Sequence, residues 1–381
     1  MSTGSAEGNP MIDRRLFLKD LTFSGLGLAS GCALSRPAVR PTPDFLVAEL
    51  IHLGENVQKQ WGTPRGGVVP DNIKDPAIAE AIETYYLPAD HLRFQEPVWE
   101  EVAAHFRRVG VNAIVLDLAE GVVYPSHPEL AVRGSWSPEK LRMELDRMRS
   151  WGFEPIPKLN FSTGHNCWMG DWARMVSSRP YYRFCEELIA DVIDLFDGPS
   201  YFHIGCDEER IPPQTSKAPH IVVRQGEHWY ADLNRLVAEI ERQGARAWMW
   251  SDAFWTDPEG FVRHVPRTVL QSNWYYRSFD DERIARFSPK RREFFFRCRD
   301  AYLGLEKAGY DQVPCSSNFY DGHLTMEGTA SYALEHLTHS RVKGLMMASW
   351  YGMNAVTKDR ICAGADQLGE AARIWRQGIA R

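Results

Sequence analysis

Tyr201-Phe202-His203-Ile204-Gly205-Cys206-Asp207-Glu208-Glu209 begins as a run suited to burial and ends in three carboxylates. Its apolar residues and small Gly205 fit a short strand packed on both faces. Asp207 and Glu208 do not, because burying adjacent acids at a strand end costs solvation. Two readings explain them. In one, the pair holds two protonation states, as carboxylates that cleave a sugar bond must. In the other, they form a salt-bridged strand terminus with Arg210. Glu209 reads as a solvated residue.

Outward from this strand, apolar runs of similar length recur at residues 45–54, 112–119, 153–160, 201–206, 246–251, 268–273, 312–317 and 344–350. Most are separated by amphipathic stretches of helical length. Residues 97–109 carry apolar positions at helical spacing and end before Gly110. Ser137-Pro138 supplies a cap and a first-turn proline for the next helix. Further helices are predicted over 179–196, 228–243, 292–308, 327–339 and 360–377, with a small or irregular one after 246–251. Strand–helix alternation with eight strands predicts a single (β/α)8 TIM barrel. No G-x-G-x-x-G follows a strand, which removes a dinucleotide fold. The first βα connection, residues 55–96, is long; it carries Trp61, Tyr85 and Tyr86 and is expected to hold a short helix at 76–85 over one barrel mouth.

Barrels of this kind place their sites at the C-terminal strand ends. Those ends here carry Glu55 and Asn56; Asp117 and Glu120; Asn160, His165 and Asn166; His203, Asp207 and Glu208; Ser251, Asp252 and Trp255; Asn273, Trp274 and Tyr275; Asn318, Tyr320 and Asp321; Trp350, Tyr351 and Asn354. The strand starts are ordinary. A barrel built only for stability has no need of that gradient.

The 381 residues carry a net charge of −6 without basic clusters, which argues against nucleic acid as a partner. Thirteen tryptophans suit sugar or aromatic contact, although a large core absorbs them too. With Cys32 set aside, none of the other six cysteines shows zinc-ligand spacing. No metal and no cofactor is expected. Cys185, Cys298 and Cys362 read as small buried hydrophobes. At the N-terminus, Arg14-Arg15 precedes a short, weakly apolar run over residues 21–30. This resembles a twin-arginine export signal and implies the export machinery as a partner. Ala29-Ser30-Gly31-Cys32 resembles a lipoprotein processing box, in which Cys32 would carry a lipid anchor. Residues 1–40 are therefore set apart from a barrel domain at 41–381, and a periplasmic or cell-envelope location is expected.

His203-Ile204-Gly205-Cys206-Asp207-Glu208 resembles the H-x-G-G-D-E motif of family 20 glycoside hydrolases, the β-N-acetylhexosaminidases, with Cys206 in place of one glycine. Residues 157–165, PKLNFSTGH, are similar to that family's third-strand P-E-I-D-x-P-G-H segment. Asn273-Trp274-Tyr275-Tyr276, Asn318-Phe319-Tyr320-Asp321 and Ser349-Trp350 resemble its sixth-, seventh- and eighth-strand segments, in matching order across residues 45–355.

The resemblance implies a retaining mechanism with the substrate's acetamide as nucleophile. Glu208 would be the acid and then the base, its pKa raised by apolar walls and an ionised Asp207. Asp207 would orient the acetamide. Tyr320 would bond the acetamide carbonyl and Asp321 a sugar hydroxyl. Trp250, Trp274 and Trp350 would wall an acetamide pocket or stack under the ring; Tyr275 lies in the same substrate segment. His165 and His203 would steady the carboxylates, and Asp252 is either a sugar ligand or a cap for the segment after it. The sequence departs from the family at Lys158 and Asn160, where acids are usual. It departs again at Glu55 and Asn56, where an arginine is usual, and after Trp350, where Tyr351, Gly352 and Asn354 replace a glutamate. These changes touch hydroxyl-binding groups more than the acid. A non-catalytic carbohydrate-binding barrel, a hydrolase of another glycoside, and a metal-dependent hydrolase using His165, His203, Asp207 and Asp252 are the alternatives.

Overall fold

The computed structural model describes residues 42–59, 61, 69–209, 222, 224–320 and 325–380. The export signal, Cys32, Arg210 and Asp321 lie outside them. Eight parallel strands occupy the predicted positions: β1 (Leu46–His52), β2 (Ala113–Asp117), β3 (Glu154–Lys158), β4 (Tyr201–His203), β5 (Arg246–Trp250), β6 (Leu270–Ser272), β7 (Cys315–Ser316) and β8 (Gly344–Ala348). Their order is β6-β5-β4-β3-β2-β1-β8-β7. Main-chain bonds close the remaining seam: Gln271 N–H donates to Asp311 O at 3.1 Å and Val313 N–H to Gln271 O at 2.8 Å. Cys315 N–H then donates to Asn273 O at 2.9 Å. The result is a (β/α)8 barrel.

Ten helices surround it among the described residues: α1 (Pro76–Tyr85), α2 (Glu96–Val109), α3 (Pro138–Ser150), α4 (Arg179–Leu195), α5 (Glu227–Arg242), α6 (Pro258–His264), α7 (Asp281–Ile284), α8 (Pro289–Ala308), α9 (Thr325–His336) and α10 (Lys358–Ile379). Local chemistry sets several of their ends. Asp75, Ser137 and Ser178 accept from the first-turn amides of α1, α3 and α4. Gly110 ends α2 at φ 88°, a backbone that glycine adopts without penalty. The irregular stretch expected after β5 is a 3₁₀ turn, Asp252–Trp255, followed by the seven-residue α6.

The short β4 has a cause in its neighbour. Glu154 N–H bonds to the β2 side at Asn112 O, whereas Leu159 N–H bonds to the β4 side at His203 O. Alternation therefore turns Pro155 and Pro157 toward β4, where neither has an N–H to give. The β3–β4 ladder is reduced to the single pair Lys158↔His203. This loosened junction is where the acids emerge.

The period of two divides the core. Val47 and Ile51 of β1 face the helices, whereas Leu46, Ala48 and Leu50 join Ile156, Trp248, Trp250, Met346 and Ala348 inside the barrel. Each buried indole removes roughly 200 Å² from water, worth about 5 kcal/mol. The cysteine expectation holds for Cys185 and Cys298, which are buried; Cys362 is only partly so.

Candidate active site

Leaving β4, the chain turns left-handed at Gly205 (φ 69°), Cys206 (φ 67°) and Glu208 (φ 53°). A Cβ on Gly205 would overlap the Asn160 carboxamide. Cys206 holds a conformation that costs an L-residue about 1–2 kcal/mol, so a glycine-type turn persists there without a second glycine. Asn160 acts as the clamp. Its Oδ1 accepts from Cys206 N–H at 3.2 Å and Ser162 N–H at 3.0 Å, and its Nδ2 donates to Asp207 Oδ1 at 2.8 Å. The Ser162 hydroxyl donates to the Asp207 carbonyl. A residue that departs from the family pattern thus organises the acid turn.

His165 Nε2 lies 3.2 Å from Asp207 Oδ2 and 3.5 Å from Glu208 Oε2. Burial alone would raise the Asp207 carboxyl. The His165 imidazole, the Lys158 ammonium and the Asn160 amide override it and hold Asp207 well below the usual carboxylate range. Asp207 is an anion in a dry setting. Glu208 is more open, its side chain 30% exposed. Its main-chain N–H donates to Asp252 Oδ2 at 3.0 Å, so Asp252 braces the acid turn.

Aromatic rings rim this pair. Tyr86, at the end of α1, and Tyr320 both feel the Glu208 charge. The long first loop therefore reaches the mouth as predicted. Tyr320 stacks on Tyr276 at 6.3 Å between centroids, and Tyr276 on Trp274 at 5.1 Å. Trp350 (φ 57°) lies 6.0 Å from Trp250, which lies 4.8 Å from His203. His203 Nδ1 accepts from Gly205 N–H at 3.1 Å. Burial, reinforced by Lys158, holds this imidazole well below the ordinary histidine range, so it is neutral.

The structure thus brings together Asp207, Glu208, His165, His203, Asp252, Trp250, Trp274, Tyr320 and Trp350. Tyr275 is placed elsewhere: it packs edge-on against Phe279 in the outer core, and its hydroxyl donates to Ser278 O. Tyr276 takes the inward position one residue on. Glu209 is not solvated. It is buried against the Arg224 guanidinium, and the Thr163 hydroxyl donates to it at 3.1 Å. Arg224 also reaches Asp232 at 3.0 Å. Among the described residues, no group of three or more His, Cys, Asp or Glu side chains is arranged to hold a metal ion, and no helix is long and apolar enough to cross a membrane.

Arg93 at the mouth and His52 below it escaped the sequence reading. Arg93, in the first loop, pairs with Glu55 at 2.8 Å and donates to Thr84 O at 2.5 Å. The Glu55 carboxylate fills the space that a side chain at Gly352 would need. Below the acids, Lys158 pairs with Asp117, and His52 Nδ1 lies 3.3 Å from the same carboxylate. Burial would raise Asp117, but Lys158 and His52 bring it down to about 2. Strand parity places His52, Asp117 and Lys158 inward, a signal the sequence contained.

Fold and strand-end geometry place the chain among (β/α)8 barrels whose acids follow the fourth strand. Solved structures with the same fold include the β-N-acetylhexosaminidase of Bacteroides fragilis, at 13% identity and TM-score 0.54, covering 85% of this chain and 65% of that one. Another is the family 20 exo-β-N-acetylglucosaminidase of Vibrio harveyi in complex with N-acetylglucosamine. It is 14% identical with TM-score 0.50, covering 73% of this chain and 52% of that one. The chain thus spans less than two thirds of the length of either. No family model matches the sequence, and no curated protein matches it.

Proposed function

We propose that this chain is a retaining glycoside hydrolase that removes N-acetylhexosamine residues with the substrate's own acetamide as nucleophile. The carrying observation is the adjacent pair: Asp207, dry and ionised, beside the more open Glu208, with His165 within 3.5 Å of both. The two carboxyls sit in environments different enough for different protonation states.

Glu208 gives its proton to the leaving glycosidic oxygen as the acetamide oxygen attacks the anomeric carbon. Asp207 accepts from the acetamide N–H and balances the positive charge that grows there. In the second half, Glu208 takes a proton from water as that water opens the oxazolinium ring. The fold likeness to two N-acetylhexosamine-releasing enzymes supports this reading, as does the indole and phenol rim. An apolar wall suits the acetamide methyl. For location, we infer export from Arg14-Arg15 and the run after it, with Cys32 as the anchor point; that rests on sequence alone.

The test is turnover of an aryl N-acetyl-β-glucosaminide by the wild type and by Glu208→Gln. Turnover should appear and fall by about two to four orders of magnitude in the variant, with the melting temperature retained. Asp207→Asn should damage acetamido substrates far more than plain glucosides. Binding of the sugar without turnover would instead favour a carbohydrate-binding barrel.

A further inference from the structure

Beneath the acids, the last inward positions of β1 to β4 form a polar arc. On β1 to β4, four polar side chains are consecutive cross-strand partners: His52↔Asp117, Asp117↔Lys158 and Lys158↔His203. The indoles of Trp250, 4.8 Å from His203, and Trp350, 5.7 Å from His52, flank its two ends. All four polar residues and Trp250 are buried. Yet His52 Nε2, Asp117 Oδ1, His203 Nε2 and Trp250 Nε1 have no hydrogen-bond partner among the described residues. Nature rarely leaves such atoms unmet in a buried interior. Four together mark a place where something else supplies the bonds.

The unmet atoms define what fits. His203 uses Nδ1 as an acceptor, so its single proton sits on Nε2 and leaves an unmet donor in the barrel interior. Trp250 Nε1 is a donor as well, and Asp117 Oδ1 is an acceptor. The Lys158 ammonium is matched by the Asp117 carboxylate. A set of unmet atoms with both donors and an acceptor suits a neutral hydroxyl, which gives one bond and takes others. It does not suit an anion or a cation, whose charge would go unmatched.

We propose that the arc of His52, Asp117, Lys158 and His203, completed by the Trp250 N–H, is a specificity subsite that reads a hydroxyl of the bound sugar. Asp117 Oδ1 accepts from that hydroxyl, and His203 Nε2–H and Trp250 Nε1–H donate to it. Lys158 touches no ligand; it holds the Asp117 carboxylate in place. The inference rests on the carbohydrate reading above and adds which residues discriminate among sugars.

Calorimetric titration of the full chain with N-acetylglucosamine and its 3-, 4- and 6-deoxy analogues tests it, because it reads binding without turnover. One deoxy analogue should bind the wild type about ten- to a hundredfold more weakly than the parent. In Trp250→Phe and Asp117→Asn, that ratio should collapse toward one while the other analogues keep theirs. Trp250→Phe keeps an apolar ring and carries the test should Asp117→Asn fail to fold. Equal affinity for all analogues in the wild type overturns the proposal, as does an unchanged ratio in both variants. If no sugar binds, the carbohydrate reading falls and takes this inference with it. If binding discriminates through the arc but an aryl glycoside is not turned over, only the catalytic reading falls.

Discussion

Asp252 Oδ2 accepts the main-chain N–H of Glu208 at 3.0 Å, which ties the left-handed acid turn after β4 to the 3₁₀ turn after β5. Under the proposed mechanism Glu208 is the proton donor, and a carboxylate that braces its backbone acts on the geometry of the chemical step. Asp252→Ala is expected to lower kcat about tenfold or more with little change in KM. Asp252→Asn, which keeps an acceptor oxygen, should recover part of it. A rise in KM at unchanged kcat would show instead that Asp252 holds the sugar.

Gly205 is required twice over, by its positive φ and by the Asn160 carboxamide beside its α-carbon. In Gly205→Ala the new methyl must displace Asn160, the clamp on Asp207. The variant should lose about 2 kcal/mol or more of stability and most of its turnover. Denaturant melts alongside rate measurements check this, and an alanine variant equal to wild type in both would refute the clamp.

Glu49 in β1 is wholly buried, and neither of its oxygens has a hydrogen-bond partner among the described residues. Burial raises its pKa well above the ordinary glutamate value. The folded state therefore keeps the proton to higher pH than the unfolded chain does. The stability this contributes is complete below the ordinary value and is lost as pH climbs toward the raised one. Glu49→Met should accordingly stabilise the fold by about 1–3 kcal/mol near neutral pH and by less at about pH 4. Melts across that window check the slope; a shift independent of pH would remove titration as the cause.

Removal of residues 1–40 should yield a soluble domain with the same melting temperature and turnover as the full chain. An insoluble product would mean that the barrel begins earlier than the composition break suggests.

The barrel was legible because its signals are local. Buried strands announce themselves as short apolar runs, and Ser137, Ser178 and Gly110 act within a few residues of the helix ends they set. The acid pair was legible for the same reason, since a buried strand seldom runs into two carboxylates. Misreadings arose where contacts cross the chain. Glu209 looked solvated because its partner, Arg224, lies fifteen residues on, across a connection without a period. Tyr275 and Tyr276 are interchangeable in composition, and only strand parity, shown by the inward Trp274–Tyr276 stack, separates them.

From the sequence alone came the eight-fold alternation, the end of the barrel that carries polar groups, and the adjacent carboxylates that follow the fourth strand. Periodicity and chemistry along one chain suffice for these. Tertiary structure alone decided that Asn160 clamps Asp207, that Arg93 answers Glu55, and that His52, Asp117, Lys158 and His203 stand side by side. Such pairings depend on strand register and loop return, and these arise from packing between segments far apart in the chain.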